Sequence, residues 1–419
     1  MPVTEPIYQT ASFLLPDLEA AAHAYGPDGL GDAFTYSRYG NPTCAALEAR
    51  VAAMEGGRAA VATASGMAAV ALAVLTIAEA GDNIVCSAEV YGGTRAFFAH
   101  TLRRMGVEAR FVDSAEPEAF VRASDDRTRA WYGETLPNPS LRVFPVADVA
   151  GLGRALGIPL IVDNTAAPLL ARPIEHGAAV VVHSATKWIG GHGSVLGGVV
   201  VDGAFPWSAH PQRCPALVTP DASYHGVVWT ELVERGDRAA AGTAYAVRLR
   251  RTVLRDLGPA LAPASAGLLL QGMQTLAVRL DRQCTTAARI AAWLAEHPQV
   301  LHVNHPGRHR GRDAARRDAL LRGGHGSLIG VELRHGYAGA RRFIEALRLV
   351  RHVVNIGDVR TLVTHPASTT HAQLDDEARR AAGVVAGYIR LSIGLEHPDD
   401  LLADLAAALD AVATDQPLA

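Results

Sequence analysis

Of the 39 Lys and Arg residues in this chain of 419, only Lys187 is a lysine and the other 38 are arginine. Arginine would serve wherever positive charge, helix propensity or a surface ion pair is wanted, and it does so everywhere else in the sequence. It cannot shed its proton at biological pH, because the guanidinium pKa lies above about 12. A primary amine can, more readily once desolvation lowers its pKa, and it is then a nucleophile. Lys187 therefore reads as a covalent lysine, forming an imine with a carbonyl cofactor or shuttling protons. The bland alternative is a surface lysine left by chance, and its neighbours argue against that.

Residues 180–182 are a β-branched run of the kind buried in a parallel sheet, and small polar residues and a glycine-rich turn follow. Ser184 and Thr186 thus fall at a strand end, where open α/β sheets bind ligands. Their hydroxyls and the local amides suit a phosphate. A lysine, two hydroxyls and a phosphate together suggest pyridoxal 5'-phosphate (PLP). Asp163 closes another expected strand, over residues 159–162. A carboxylate against the pyridine nitrogen of PLP keeps it protonated, and the protonated ring takes up electrons released from a substrate α-carbon. Asp163 and Lys187 are 24 residues apart, about one βαβ step, so their strand ends can be neighbours.

Other segments offer further contacts. Tyr36 and Arg38, one residue apart in FTYSRYGNPT, would point the same way from an extended segment and present a phenol and a guanidinium to one phosphate. Ser65, Gly66 and Met67 form a turn at a helix amino terminus, whose amides bind anions. Tyr91 follows the expected strand 83–87 and is placed to stack on a planar cofactor. Standing alone, the tyrosines would read as packing and the arginine as surface.

These residues need an alternating β/α domain to position them, and the signals alternate accordingly: strands over 59–62, 83–87, 128–133, 159–162 and 180–182, with helices between. The expected division is an arm over 1–30, of little periodicity, that lies on another subunit; a large cofactor-binding domain over 31–243; and a smaller α+β domain over 244–419. Within the last, the sequence predicts helices over 244–257, 268–280 and 341–350, a strand over 326–333, and a closing helix with Leu401, Leu402, Leu405, Ala408 and Leu409 on one face. Residues 61–78 lack charge for about the length of a short membrane span, but Ser65 and Gly66 divide them into a buried strand and helix.

A net charge of −3 gives no reason to expect nucleic acid or an anionic membrane as partner. The arginine-rich run 308–322 is interrupted by Asp313 and Asp318 and reads as a solvated helix face. Cys44, Cys86, Cys214 and Cys284 make no metal spacing and read as reduced structural thiols, which with the missing signal-peptide pattern points to the cytoplasm. His365 and His371 are six residues apart on an expected loop and read as structural rather than as metal ligands.

The motifs YSRYGNPT, ASGMAA, EVYGGT, ETLPNPS, VDNT, HSATKWIGGHG, HPASTTH and YIRLSIGLEH occur together. In this combination the chain resembles the Cys/Met-metabolism (transsulfuration) group of PLP-dependent enzymes over nearly its whole length. PDASYHG and VVNIGD resemble its O-acetylhomoserine sulfhydrylase branch; related branches usually carry Ser-Leu-Gly where Asn355, Ile356 and Gly357 stand. The resemblance implies a fold-type I, aspartate-aminotransferase-like architecture, with a mostly parallel sheet and a smaller carboxy-terminal domain. It implies that Lys187 and Tyr91 are the catalytic residues, Lys187 holding PLP as a Schiff base and moving protons and Tyr91 stacking on the ring, that Asp163 binds the pyridinium, and that Asn138 bonds its phenolic oxygen. Ser65, Gly66, Met67, Ser184 and Thr186 would hold the phosphate, joined by Tyr36 and Arg38 from a neighbouring subunit. Arg390, assisted by Asn355, would clamp the substrate carboxylate. The implied reaction is γ-replacement on O-acetylhomoserine by sulfide or a thiol, in a dimer with shared sites and a tetramer of two dimers.

This chain departs from the family pattern at Leu136 and Pro137, at Arg142, in the stretch TAAP after Asn164, and in a shorter amino-terminal arm. Those changes border the ring and imply a pocket open to a larger nucleophile or another activated homoserine, with elimination as a related outcome. A rival of another class is SxxK serine chemistry, with Ser184 as nucleophile and Lys187 as its activator; the motif follows a strand rather than opening a helix, and a chain with one lysine has no KTG. A non-catalytic PLP carrier is a further alternative.

Overall fold

The computed structural model describes residues 2–26, 29, 33–234, 243–370, 372 and 383–413. The larger sheet has seven strands: β1 (Ala59–Thr63), β2 (Asn83–Ser87), β3 (Glu108–Val112), β4 (Thr128–Glu134), β5 (Leu160–Asp163), β6 (Val180–His183) and β7 (Gly198–Asp202). Their order across the sheet is β1-β7-β6-β5-β4-β2-β3, and all run in one direction except β7, which is antiparallel to both neighbours. Each face of the sheet is covered. Val180 and Val182 enter one apolar cluster and Val181 the other, which is why β6 reads as a continuous β-branched run instead of an alternating one.

A second sheet of five strands contains β8 (Val300–Asn304), β9 (Leu328–Leu333), β10 (Arg351–His352), β11 (Leu362–Thr364) and β12 (Tyr388–Ser392), in the order β10-β11-β12-β9-β8. Only β10 and β11 are parallel. Helices Gly336–Ala346 and Pro398–Ala413 pack on this sheet through Phe343, Leu401, Leu405 and Leu409. Ala408 joins them, while Leu402 is only partly buried at the edge of the cluster.

The mostly parallel sheet with a smaller α+β unit is the architecture the sequence predicts, with differences in detail. The arm contains a helix, Leu18–Tyr25, capped by Asp17, whose carboxylate accepts from the Ala20 amide at 2.7 Å. Residues 268–280 are not one helix: Pro263–Met273 ends and Leu276–Ala295 begins. The Arg279 guanidinium donates to the Gly272 carbonyl at 2.8 Å, and a side chain at Gly272 would meet the Gly190 carbonyl, so packing fixes the break. Helix Gly336–Ala346 stops short of residue 350 because the Asp404 carboxylate accepts from the amides of Arg348, Leu349 and Val350 at 2.9 to 3.1 Å. The segment 244–257 is helical throughout, with a π-helical turn over Leu249–Leu254.

Residues 61–78 form strand and helix, and no helix among the described residues is long and apolar enough to cross a membrane. The four cysteines are unpaired and buried. Burial pushes the thiols of Cys44 and Cys214 up to about 12, where they remain protonated and inert.

Candidate active site

Asp163 is the last residue of β5, and Lys187 follows β6 by one turn. These strands are adjacent, with Asp163 opposite Val182. Both side chains line one cavity of about 240 Å³, together with Tyr91 beyond β2 and Glu134 at the end of β4. The carboxyl ends of neighbouring parallel strands thus converge on one point, the usual ligand position in such sheets.

One wall of this cavity is a cradle for an anion. Ser65 caps the ten-residue helix Gly66–Leu75, its hydroxyl accepting from the Ala68 amide at 3.1 Å, and Gly66 and Met67 open the helix. A side chain at Gly66 would place its Cβ 2.5 Å from the Ser184 Cβ, so only glycine lets the helix start this close to the β6 loop. Ser184 and Thr186 lie on the same wall. The Ser184 amide donates to the Thr165 hydroxyl at 2.7 Å, and the Thr186 hydroxyl accepts from the Gly197 amide at 3.0 Å. Hydroxyls and helix-terminal amides with no cation among them are the donor set of a phosphate site.

A second wall comes from the smaller sheet. Arg390, in the middle of β12, is buried, with Nη1 donating to the Asn138 Oδ1 at 3.1 Å and Nη2 to the Asn355 carbonyl at 3.0 Å. Its Nε has no partner among the described residues. The Asn355 Oδ1 accepts from the Lys187 Nζ at 2.6 Å. Burial, and then the Arg390 charge, lower the Lys187 ammonium from 10.5 to about 8. Burial likewise pulls the Arg390 guanidinium down to about 10. Two cations held close together with carboxamides for company invite an anionic ligand.

Behind Asp163 lies a network no motif announces. Glu55 Oε1 contacts His183 Nε2 at 2.7 Å and accepts from Asn164 Nδ2 at 2.9 Å, all three side chains being buried. The Asp163 carboxylate accepts from the Thr165 amide at 2.8 Å. Burial raises it, while hydrogen bonds from Thr165 and the proximity of His183 pull it down.

Every site residue expected within the subunit lines this cavity: Ser65, Gly66, Met67, Tyr91, Asn138, Asp163, Ser184, Thr186, Lys187, Asn355 and Arg390. Tyr36 and Arg38 do not. Tyr36 bridges to Ser12 and Arg38 lies in the turn that follows, so the two do not share one extended segment, and the guanidinium lies over the rings of Tyr36 and Tyr39 at 5.5 and 4.8 Å while bonding the Arg255 carbonyl. Sequence reasoning missed Glu134 and Thr165, although both sit at strand ends beside residues it found. His365 is satisfied structurally, by the Ser368 hydroxyl at 2.8 Å and the Ala386 carbonyl at 3.0 Å; His371 lies outside the described residues. The Lys187 amine bonds Asn355 and not the Ser184 hydroxyl, which leaves the SxxK alternative without its activating contact.

Residues 2–410 match the family described as Cys/Met metabolism PLP-dependent enzyme. The chain belongs to this family. As a PLP-dependent enzyme it is 45% identical to O-acetyl-L-homoserine sulfhydrylase 1 of Thermus thermophilus, over 96% of this chain and 94% of that one. It is 43% identical to the O-acetyl-L-homoserine sulfhydrylase of Leptospira meyeri, over 96% and 91% respectively. A Campylobacter jejuni structure assigned as an O-acetylhomoserine (thiol)-lyase, which contains a pyridoxyl-lysine phosphate, superposes with a TM-score of 0.92 at 36% identity, covering 98% of this chain and 96% of that one. The residues present fit the cofactor: an amine poised to lose its proton, a phosphate cradle that glycine alone permits, and a carboxylate on the same cavity.

Proposed function

We propose that this enzyme carries out γ-replacement on O-acetyl-L-homoserine, exchanging acetate for sulfide or a thiol and releasing homocysteine or methionine. The observation that carries this reading is the pairing, through Asn355, of the Lys187 amine with the Arg390 fork: a proton-transfer group beside a carboxylate clamp. The relatives' names supply the acyl group. When bound, PLP supplies an electron sink for the charge left as protons leave the substrate's α- and β-carbons. Lys187 takes the proton from the α-carbon and returns it at the end, a role suited to an amine whose burial brings it near neutral pH. Arg390 and Asn355 fix the substrate carboxylate so that the γ-carbon carries the leaving group into the open part of the cavity. Asp163 meets the pyridine nitrogen, Tyr91 the ring face, Asn138 the phenolic oxygen, and the wall of Ser65, Gly66, Met67, Ser184 and Thr186 the phosphate.

Tyr36 and Arg38, which do not line their own chain's cavity, complete the phosphate site of a second copy. The functional unit is a dimer with shared sites, two of which make a tetramer. Unpaired thiols suit a reducing cytoplasm. A second reading keeps the chemistry and changes the nucleophile. Leu136 and Ala166 line the cavity where the family pattern differs, and an alkyl thiol larger than sulfide would meet these apolar groups.

The test is to incubate the holoenzyme with O-acetyl-, O-succinyl- or O-phosphohomoserine, each with sulfide, methanethiol or no nucleophile, and to identify the products by mass. Homocysteine from the acetyl ester with sulfide is the expected result. A keto acid as the main product whatever nucleophile is present would replace this reading with elimination.

A further inference from the structure

Glu134 is the one acidic group on the cavity to which the sequence reading assigns no role. It ends β4 directly opposite Asp163 on β5, so the two carboxyls project from the same register position of adjacent parallel strands and line the same cavity. Glu134 is 6% exposed. Its Oε1 accepts from the Tyr91 backbone amide at 2.6 Å, and the Asn138 amide bears on the same carboxyl. Tyr91 and Asn138 are the residues that meet the cofactor ring at its face and at its phenolic oxygen in the reading above. The Glu134 side chain therefore holds the Tyr91 backbone by a hydrogen bond and lies beside that of Asn138, on loops that leave different strands.

We propose that Glu134 is a positioning residue of the cofactor site, holding the Tyr91 loop and the neighbouring Asn138 loop in register with the ring, while Asp163 beside it meets the ring nitrogen. The division of roles follows from the surroundings. Two buried carboxyls on paired residues of adjacent strands disfavour double ionisation. Burial, and then the charge of Asp163, push Glu134 well above the usual carboxylate range, whereas Asp163 is raised by burial against the opposing pull of Thr165 and His183. The ring nitrogen, a cation, reinforces the charge on Asp163. A neutral Glu134 still accepts from the Tyr91 amide through its carbonyl oxygen, and it adds no second negative charge beside Asp163.

This inference rests on the PLP reading, and its test separates the two. Apoenzyme is titrated with PLP, with cofactor absorbance and fluorescence giving Kd and visible circular dichroism reporting the asymmetry of the bound ring. Wild type, Glu134→Gln and Glu134→Ala are compared. Glu134→Ala, which leaves the Tyr91 amide without its acceptor, is expected to weaken PLP binding by roughly 10- to 100-fold and to lose most of the visible dichroism. Glu134→Gln, a neutral side chain of the same reach, is expected to stay within about threefold of wild type, since it costs less than one hydrogen bond. Should Glu134→Ala fail to fold, Glu134→Asp, one methylene too short for the Tyr91 amide, takes its place. Glu134→Ala indistinguishable from wild type would overturn the proposal, as would Glu134→Gln as impaired as Glu134→Ala, which would show that charge rather than shape is required. A wild-type apoenzyme that takes up no PLP would instead overturn the cofactor reading itself.

Discussion

The Lys187 amine is surrounded by groups that make its protonated form costly. Burial and the nearby Arg390 guanidinium bring it to about 8, more than two units below an exposed lysine. The neutral amine is the attacking form, so its fraction rises as pH rises through that value. Covalent uptake of PLP by the apoenzyme is therefore expected to accelerate with pH and to level off above about 8, well before the range in which a free lysine titrates. Arg390→Gln removes the neighbouring positive charge, raises the lysine and moves the midpoint to higher pH. Stopped-flow absorbance across pH reads this directly. A midpoint that stays put or falls in the variant would show that Arg390 does not act on the amine. Lys187 was legible because its chemistry is one that arginine cannot perform. Glu134 was not, because an acid at a strand end is ordinary in sequence, and only the register of β4 against β5 sets it beside Asp163.

At the scale of elements, strands β1, β2, β4, β5 and β6 were legible as short β-branched or apolar runs bounded by turn residues. Their strand ends carry the site, so the site came with them. Strands β8, β10 and β11 were not: β8 keeps Leu301 and His302 exposed, and β10 is two exposed residues whose extended form comes from pairing with β11. Helix ends were misjudged where a distant side chain decides them, as Asp404 does for Gly336–Ala346 and Arg279 does for Pro263–Met273. One loop joins element to site. Gly357, two residues past Asn355, has φ +72, its amide donates to the Ser392 hydroxyl at 2.9 Å, and a Cβ there would lie 2.6 Å from Trp188, the residue after Lys187. Gly357→Ala is expected to cost about 1–3 kcal/mol of stability in urea unfolding, from a strained backbone and an overpacked Trp188. It should also raise KM for the amino-acid substrate, because Asn355 moves with the loop. An unchanged midpoint and KM would mean that the loop yields freely.

Across the whole molecule, the site is built from the carboxyl ends of the central strands of one sheet and the middle strand of another. Helix Leu276–Ala295 links them: Leu276, Leu280 and Cys284 belong to a cluster beside the large sheet, while Ala287, Ile290 and Leu294 belong to that of the small sheet. Residues 244–254 also pack against the large sheet. We accordingly propose that the two units divide within this long helix and not near residue 243. Composition could not reveal this, because the helix keeps one apolar periodicity while its burial partner changes. The proposed sharing of Tyr36 and Arg38 between copies predicts complementation. Lys187→Ala and Arg38→Ala chains, each inactive alone, should regain about a quarter of wild-type activity when unfolded together and reassembled, since half the dimers are hybrids with one intact site. No recovery, with mixed dimers shown to form, would place Arg38 in its own chain's function. Borohydride reduction of the native holoenzyme followed by peptide mapping tests the bond between Lys187 and PLP most directly. The expected result is one pyridoxyl-phosphate group per chain, on the peptide carrying Lys187; a reduced protein with no such adduct, or with the adduct at the amino terminus, would contradict it.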